Sequence, residues 1–361
     1  MAVNHRIVLA SRPAPGLPVP ENFRIEEAPI PAPAEGQVQV RVHYLSLDPY
    51  MRGRMDAAKS YAKPVEIGEV MVGGTVGEVT ESRHPKFAKG DFVAGSLGWQ
   101  EWAVADARMV TKIDSQLAPI SAYLGTLGMP GVTAWVGLLD IAQPRAGETV
   151  VVSAASGAVG SVVGQLAKIR GCRAVGIAGG KAKCDYVVHE LGFDVCIDYK
   201  AGRLRDGQVA PRNMNPEGPD SGEREGRYPL VLSDALKAAA PNGIDVYFEN
   251  VGGETLDTVL RLMNPFGRVA VCGMISQYNA SEIYGVREFR SILVNRLRVQ
   301  GFIVSDRMEL WPKALAELGG WFREGKLKYR ESVAQGLEAA PCAFIGMLRG
   351  ENFGKQLVRL V

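Results

Sequence analysis

Metal ligands are scarce in this chain. Its 361 residues include 5 Cys and 4 His. The cysteines (Cys172, Cys184, Cys196, Cys272, Cys342) are scattered and nowhere form C-x-x-C, and the histidines (His5, His43, His84, His189) are as dispersed. No cluster has zinc-ligand spacing, so no metal site is expected. Cysteines in apolar, strand-like stretches read instead as small buried hydrophobes. Net charge is lacking too: 41 Lys+Arg oppose 39 Asp+Glu, a formal +2. That excludes a nucleic-acid binder driven by bulk charge. No apolar run approaches the ~20 residues of a membrane span. Residues 7–10, the first apolar run, fall short of the ~7–15 residues of a signal-peptide core. A cytoplasmic protein without membrane or nucleic-acid partners is the expectation. What is abundant excludes disorder: 47% of residues are apolar, enough for a packed core at low net charge. The length suggests two domains or one large one.

The first ~125 residues read as all-β with frequent turns. Residues 37–46 (QVQVRVHYLS) alternate Val38, Val40, Val42 and Tyr44 with polar partners, the period of a half-buried strand. Short strands follow at 73–82, 91–94 and 99–104, and the proline-rich stretches 13–20 and 29–33 read as extended connectors. Near Ser121 the texture changes. Apolar strands at 149–153, 174–178, 195–198, 244–249, 268–272 and 299–304 alternate with helical patterns at 161–170, 181–191, 231–240, 254–263 and 286–296. Six strands with helical crossovers imply a doubly wound, mostly parallel sheet. A helix over 308–324 precedes a tail of strand, helix and strand (329–333, 340–348, 355–361), expected to rejoin the β region. Residues 202–229 break the rhythm with five Gly, four Pro and ten charged residues in 28. Such a stretch reads as a solvated insertion.

The most informative segment is TVVVSAASGAVGSVVGQLAKIR, residues 149–170. An apolar strand runs into a glycine turn and a helix follows at once. Gly157 and Gly160, with Gly164 a turn later, permit a tight turn and close approach of backbone amides to a pyrophosphate. A dinucleotide site is therefore expected. A site for NAD usually carries an acid ~20 residues on, bonded to the ribose. Here the second strand ends in Gly179-Gly180-Lys181-Ala182-Lys183 with no acid. Two lysines there suit a 2′-phosphate, so NADP(H) is the expected cofactor.

These stretches together resemble a known family. Ala154–Gly160 (A-x-x-G-x-x-G), LSLDPYMRGRM (45–55), GMPGVTAW (128–135), NGIDVYFENVGG (242–253), CGMISQYN (272–279), RVQGFIVSD (298–306) and ENFGKQLV (351–358) resemble zinc-independent medium-chain dehydrogenases/reductases. The branch is that of the prostaglandin reductases, alkenal double-bond reductases and curcumin reductase-like enzymes. The resemblance spans nearly the whole chain except 202–229. It implies an α/β fold: a GroES-like, β-rich catalytic domain from residues 1–125 and 330–361, and a Rossmann domain, a doubly wound parallel sheet, from 126–329. It places NADP(H) on Gly157, Ala158, Val159 and Gly160 (pyrophosphate), and on Lys183 and Tyr199 (adenosine phosphate). Asn250, Cys272, Gly273, Ser276, Tyr278, Phe302, Ile303, Val304 and Asn352 fall towards the nicotinamide. From spacing alone turn chemistry is the preferred role for Asn250 and Asn352; the resemblance reverses that preference. The insertion would leave the sheet beside the adenosine phosphate end, to flank that end or contact a partner subunit.

The chemistry implied is hydride transfer from NADPH to the β-carbon of an α,β-unsaturated ketone or aldehyde, a small-molecule enone or enal. The developing enolate needs hydrogen-bond donors. Tyr50, Tyr61, Tyr278 and Tyr284 are candidates, and similarity to the prostaglandin reductases favours Tyr61 and Tyr284 as catalytic residues. Aromatic packing is the competing role for each. A quinone reductase and a non-catalytic NADP-binding sensor remain as alternatives. The family also implies a homodimer, with the last apolar strand, 299–304, as an edge open to its twin.

Overall fold

The computed structural model describes residues 3–200, 203–204 and 228–361. All but four residues of the expected 202–229 insertion, and the expectations attached to it, lie outside that range. Two compact units result: residues 1–129, 278–281 and 330–361 form the first, and 130–277 with 282–329 the second.

In the first unit β1 (Val3–Leu9) and β2 (Phe23–Pro29) make an antiparallel pair with Leu9 opposite Phe23. The prolines that suggested connectors flank β2 and do not interrupt it; Pro29 closes the strand at an edge, where a missing amide costs little. β3 (Gln37–Ser46) buries Val38, Val40 and Val42 completely, and a five-residue helix, α1 (Tyr50–Arg54), follows. Then come β4 (Thr75–Ser82), β5 (Phe92–Gly95), β6 (Trp102–Asp106) and β7 (Val110–Lys112). β3 and β4 approach so closely that a Cβ on Gly77 would lie 2.2 Å from the Arg41 carbonyl oxygen. Phe23 and Trp99 stack in the core, and Phe344 packs edge-on against both.

The second unit opens with α2 (Met129–Trp135), continued as a π-helical stretch, Val136–Ala142. The Gly and Pro of GMPGVTAW hid this helix from the sequence. β8 (Thr149–Ser153) is buried at all five positions and leads into α3 (Gly160–Ile169). The alternation continues through β9 (Arg173–Ala178), α4 (Lys181–His189), β10 (Val195–Asp198), β11 (Arg203–Leu204) and α5 (Tyr228–Ala239). It goes on with β12 (Ile244–Glu249), α6 (Gly253–Leu262), β13 (Met263–Val271), α7 (Phe289–Val294), β14 (Arg298–Gly301) and α8 (Trp311–Arg323). The sheet order is β11-β10-β9-β8-β12-β13-β14. Six strands run parallel, and β11 lies antiparallel on β10. Strand order reverses at β8, so the carboxyl ends of β8 and β12 flank the crevice where ligands of such sheets bind.

The chain then supplies β15 (Glu331–Gln335), α9 (Ala340–Leu348) and β16 (Lys355–Arg359). β16 pairs antiparallel with β3, Leu357 opposite Ser46, and parallel with β15. No helix among the described residues is long and apolar enough to cross a membrane.

Candidate functional site

The site is built on the carboxyl ends of the second unit's strands. After β8 the chain turns at Ala154, whose φ of 50° is unusual for a residue with a Cβ. The Gly157 amide donates to the Ala154 carbonyl at 2.9 Å. A Cβ on Gly160 would lie 2.4 Å from that same oxygen, so the turn Gly157-Ala158-Val159-Gly160 closes only with glycine at its end. α3 starts there with no side-chain cap, and its first amides suit a pyrophosphate. Gly164 serves packing: a Cβ would meet the Phe193 ring at 1.7 Å.

The next strand ends carry cations. Asp198, 3% exposed, turns inward and accepts the amides of Gly180 (2.8 Å) and Lys200 (3.1 Å). It therefore holds the β9–α4 turn and the β10 end together, with its carboxylate turned into the protein. Tyr199 and Lys200 cross Gly179, where a Cβ would lie 2.9 Å from Tyr199 Cε1 and 3.1 Å from Lys200 Cε. Burial, then the charge of Lys200, lowers the half-buried Lys183 ammonium. Lys183, Tyr199 and Lys200 are thus gathered in one place, whereas Lys181 forms an ion pair with Asp185. Lys200 was not singled out from the sequence; its signal was its position beside Tyr199 at a strand end.

At the crevice, the Asn250 side chain donates to the Ser153 carbonyl and its amide to Ser153 Oγ, both at 2.8 Å. Ser153 Oγ donates in turn to Glu249 Oε1 at 3.0 Å. Glu249 has no exposed surface; burial raises its carboxyl, against hydrogen bonds from the Val251 and Gly252 amides. Sequence reasoning missed Glu249, because an acid ending a strand ordinarily faces water. The following turn rests on this one. Cys272 and Gly273 amides donate to the Glu249 carbonyl (2.9 and 3.1 Å), Ile275 to Asn250 (3.0 Å) and Ser276 to Val251 (3.0 Å). So Asn250, Cys272, Gly273 and Ser276 form one backbone platform. Burial and then Glu249 push the Cys272 thiol up to about 12, a wall residue and no nucleophile. Phe302, whose amide donates to Val271 at 3.3 Å, packs edge-on against Phe248 in space left by Gly137. Ile303 and Val304 follow it, and the Val304 carbonyl accepts from Trp311 Nε1.

Tyr284 is half-buried in the long segment between β13 and α7. Its hydroxyl donates to Asp257 Oδ2 at 2.9 Å, its amide donates to Gln277 Oε1 at 2.8 Å, and the Arg287 guanidinium lies 4.8 Å over its ring. Burial and that carboxylate push its phenol up to about 12. Three expected residues belong to the first unit. Tyr61 is 61% exposed; with Asp48, it helps burial hold the Tyr50 phenol above its usual range. Tyr278 opens the segment 278–281, where Asn279 Oδ1 accepts from buried Arg52 at 3.2 Å. Asn352 donates to the Gly354 carbonyl at 2.8 Å. Among the described residues no three His, Cys, Asp or Glu come together as a metal site.

Comparisons with known proteins agree with this geometry. Residues 5–113 match the family model described as N-terminal domain of oxidoreductase, and 158–319 the one described as zinc-binding dehydrogenase. The NADPH-dependent curcumin reductase of Escherichia coli is 46% identical over 99% of this chain and 97% of its own. The NADP(+)-dependent 2-alkenal reductase of Nicotiana tabacum is 42% identical over 99% and 97%. The crystal structure of CurA from Vibrio vulnificus in complex with NADPH superposes with a TM-score of 0.86, at 45% identity over 99% of both chains.

Proposed function

The chain belongs to the medium-chain dehydrogenase/reductase family, in the branch that holds the curcumin and alkenal reductases, and on that premise we propose that it reduces the C=C bond of α,β-unsaturated ketones and aldehydes with NADPH. The observation carrying the cofactor half is the uncapped glycine turn before α3, with Lys183, Tyr199 and Lys200 at the neighbouring strand ends. The turn supplies amides for a pyrophosphate, and two ammonium groups beside Tyr199 suit a phosphate monoester and not a bare ribose. Bound NADPH would supply a hydride for the substrate's β-carbon. The platform of Asn250, Cys272, Gly273 and Ser276 fixes the crevice walls, with Phe302, Ile303, Val304, Tyr278 and Asn352 as further cofactor contacts. Hydroxyls of Tyr61 and Tyr284 would hydrogen-bond the oxygen on which charge develops, Tyr284 by exchanging its bond to Asp257 for one to substrate.

In the same proposal, residues 1–125 and 330–361 form the catalytic domain and 126–329 the cofactor domain. A cytoplasmic homodimer completes it. β14 is an edge strand with Val299 41% exposed, and on the adjoining α7 Phe289 and Leu293 are 70% and 78% exposed. β14 ends at Gly301, short of the expected 299–304, and Val299 is its one apolar side chain, so the apolar surface that invites a twin is carried mainly by α7 beside this edge. Oxidation of NADPH, compared with NADH, in the presence of an enone, an enal and a quinone tests the activity. Turnover of the quinone alone would replace this reading with the quinone reductase. Sedimentation at micromolar concentration tests the dimer.

A further inference from the structure

Between the end of β13 at Val271 and the start of α7 at Phe289 the chain makes a long excursion whose only regular element is the 3₁₀ turn Ile275–Gln277. It leaves from the carboxyl edge of the sheet, where ligands of open sheets bind. Loops of that length tend to be functional or disordered, yet the second half of this one is anchored: the Tyr284 amide donates to Gln277, Glu288 pairs with Arg261, and Asp257 takes most of the rest. Asp257, on the second turn of α6 and 4% exposed, receives three donors of the returning segment. Its Oδ1 accepts the amides of Arg287 and Glu288, both at 3.0 Å, and its Oδ2 accepts the Tyr284 hydroxyl at 2.9 Å and, more weakly, the Arg287 amide at 3.2 Å. Leu256, Val259 and Leu260 around it are buried. A carboxylate in such a place is stable only while those donors remain.

An ionised carboxylate can only accept, so the single hydrogen of the Tyr284 hydroxyl is committed to Asp257. In that state the phenolic oxygen can accept a further bond but donate none. We propose that Asp257 is a positioning residue for the reaction: it fixes the Tyr284–Glu288 segment and governs whether the Tyr284 hydroxyl can donate to substrate. The proposal rests on the enone reading above. No atom is transferred to Asp257; a hydrogen bond is exchanged, and substrate competes with the carboxylate for it.

Asp257→Asn separates the two roles. The amide side chain keeps an oxygen for the Arg287 and Glu288 amides, while its NH2 donates to the Tyr284 oxygen and turns the phenolic hydrogen outward. Asp257→Ala removes both acceptors. Single-turnover oxidation of bound NADPH by 4-phenyl-3-buten-2-one should be about 2- to 10-fold faster in Asp257→Asn, with NADPH affinity within twofold of the parent. The same substitution in a Tyr284→Phe background should leave that rate unchanged. In Asp257→Ala, amide hydrogen exchange at Arg287 and Glu288 should accelerate at least about 10-fold, and KM for the enone should rise at least about 5-fold. Rates within twofold of the parent in Asp257→Asn, or an equal acceleration in the Tyr284→Phe background, would overturn the proposal. So would unchanged exchange in Asp257→Ala. If Asp257→Ala does not fold, the Asp257→Asn pair alone decides. The exchange measurement needs no substrate, so a parent enzyme inert to enones would sink the proposed function without obscuring this result.

Discussion

The Lys355 ammonium and the Asp48 carboxylate lie 3.1 Å apart with 4% and 6% of their residues exposed, a nearly dry ion pair joining β16 to the corner between β3 and α1. Nζ also donates to the carbonyls of Leu47 and Gln356, at 2.7 and 3.0 Å. Burial lowers the lysine, against the opposing pull of Asp48. Lys355→Met should cost ~3–5 kcal/mol in denaturant unfolding, because Asp48 is left charged and unpaired. Combining it with Asp48→Asn should recover part of that loss. Additive losses would show that the pair is not coupled.

Cofactor preference is expected to follow Lys183. Lys183→Ala should weaken NADPH binding by ~1.5–3 kcal/mol, roughly ten- to a hundred-fold, and leave NADH nearly unchanged. Lys181→Ala is the control, since its ammonium is already engaged by Asp185. Fluorescence titration of both cofactors reads the difference, and equal losses for both would move the phosphate elsewhere.

For the tyrosines, Tyr61→Phe and Tyr284→Phe should each lower enone turnover by ~10–1,000-fold while NADPH affinity holds. A change confined to KM would make them groups that only position substrate. No change would return both to packing.

Thiol reactivity should divide sharply. With Cys272 pushed up to about 12, its thiolate is a minute fraction at pH 8, and Cys172, Cys184 and Cys196 are buried. Iodoacetamide at pH 8 should therefore label exposed Cys342 and spare the others. Peptide mass spectrometry would expose a labelled Cys272, and with it an open crevice wall.

Exhaustive chelation should leave turnover unchanged, as neither the sequence spacing nor the described side chains assemble a ligand set. Loss of activity that zinc restores would contradict this.

What the sequence made legible was what backbone regularity enforces. Buried parallel strands are continuous apolar runs, so β8, β10 and β12 fall on the spans expected from apolarity alone. The glycine turn was legible because a Cβ at Gly160 would strike the Ala154 carbonyl. β13 starts earlier than its apolar run: Met263–Gly267 includes Phe266 at a φ of 65°, which no periodicity announces. β1 and β2 were masked by neighbouring prolines. Asp257 and Glu249 were invisible for a common reason. An acid on a helix or at a strand end looks solvent-facing until the chain that donates to it is folded back.

The pairing of β16 with β3 also dictates an order of assembly. Residues 44–46 of β3 stay without their β16 partners until the ribosome has released the whole second unit. A parallel α/β unit assembled between two halves of a sheet can reach its packed state while the first half still shows an open edge. Nascent chains of this protein therefore carry a strand edge exposed to chaperones, or to one another, for most of their synthesis.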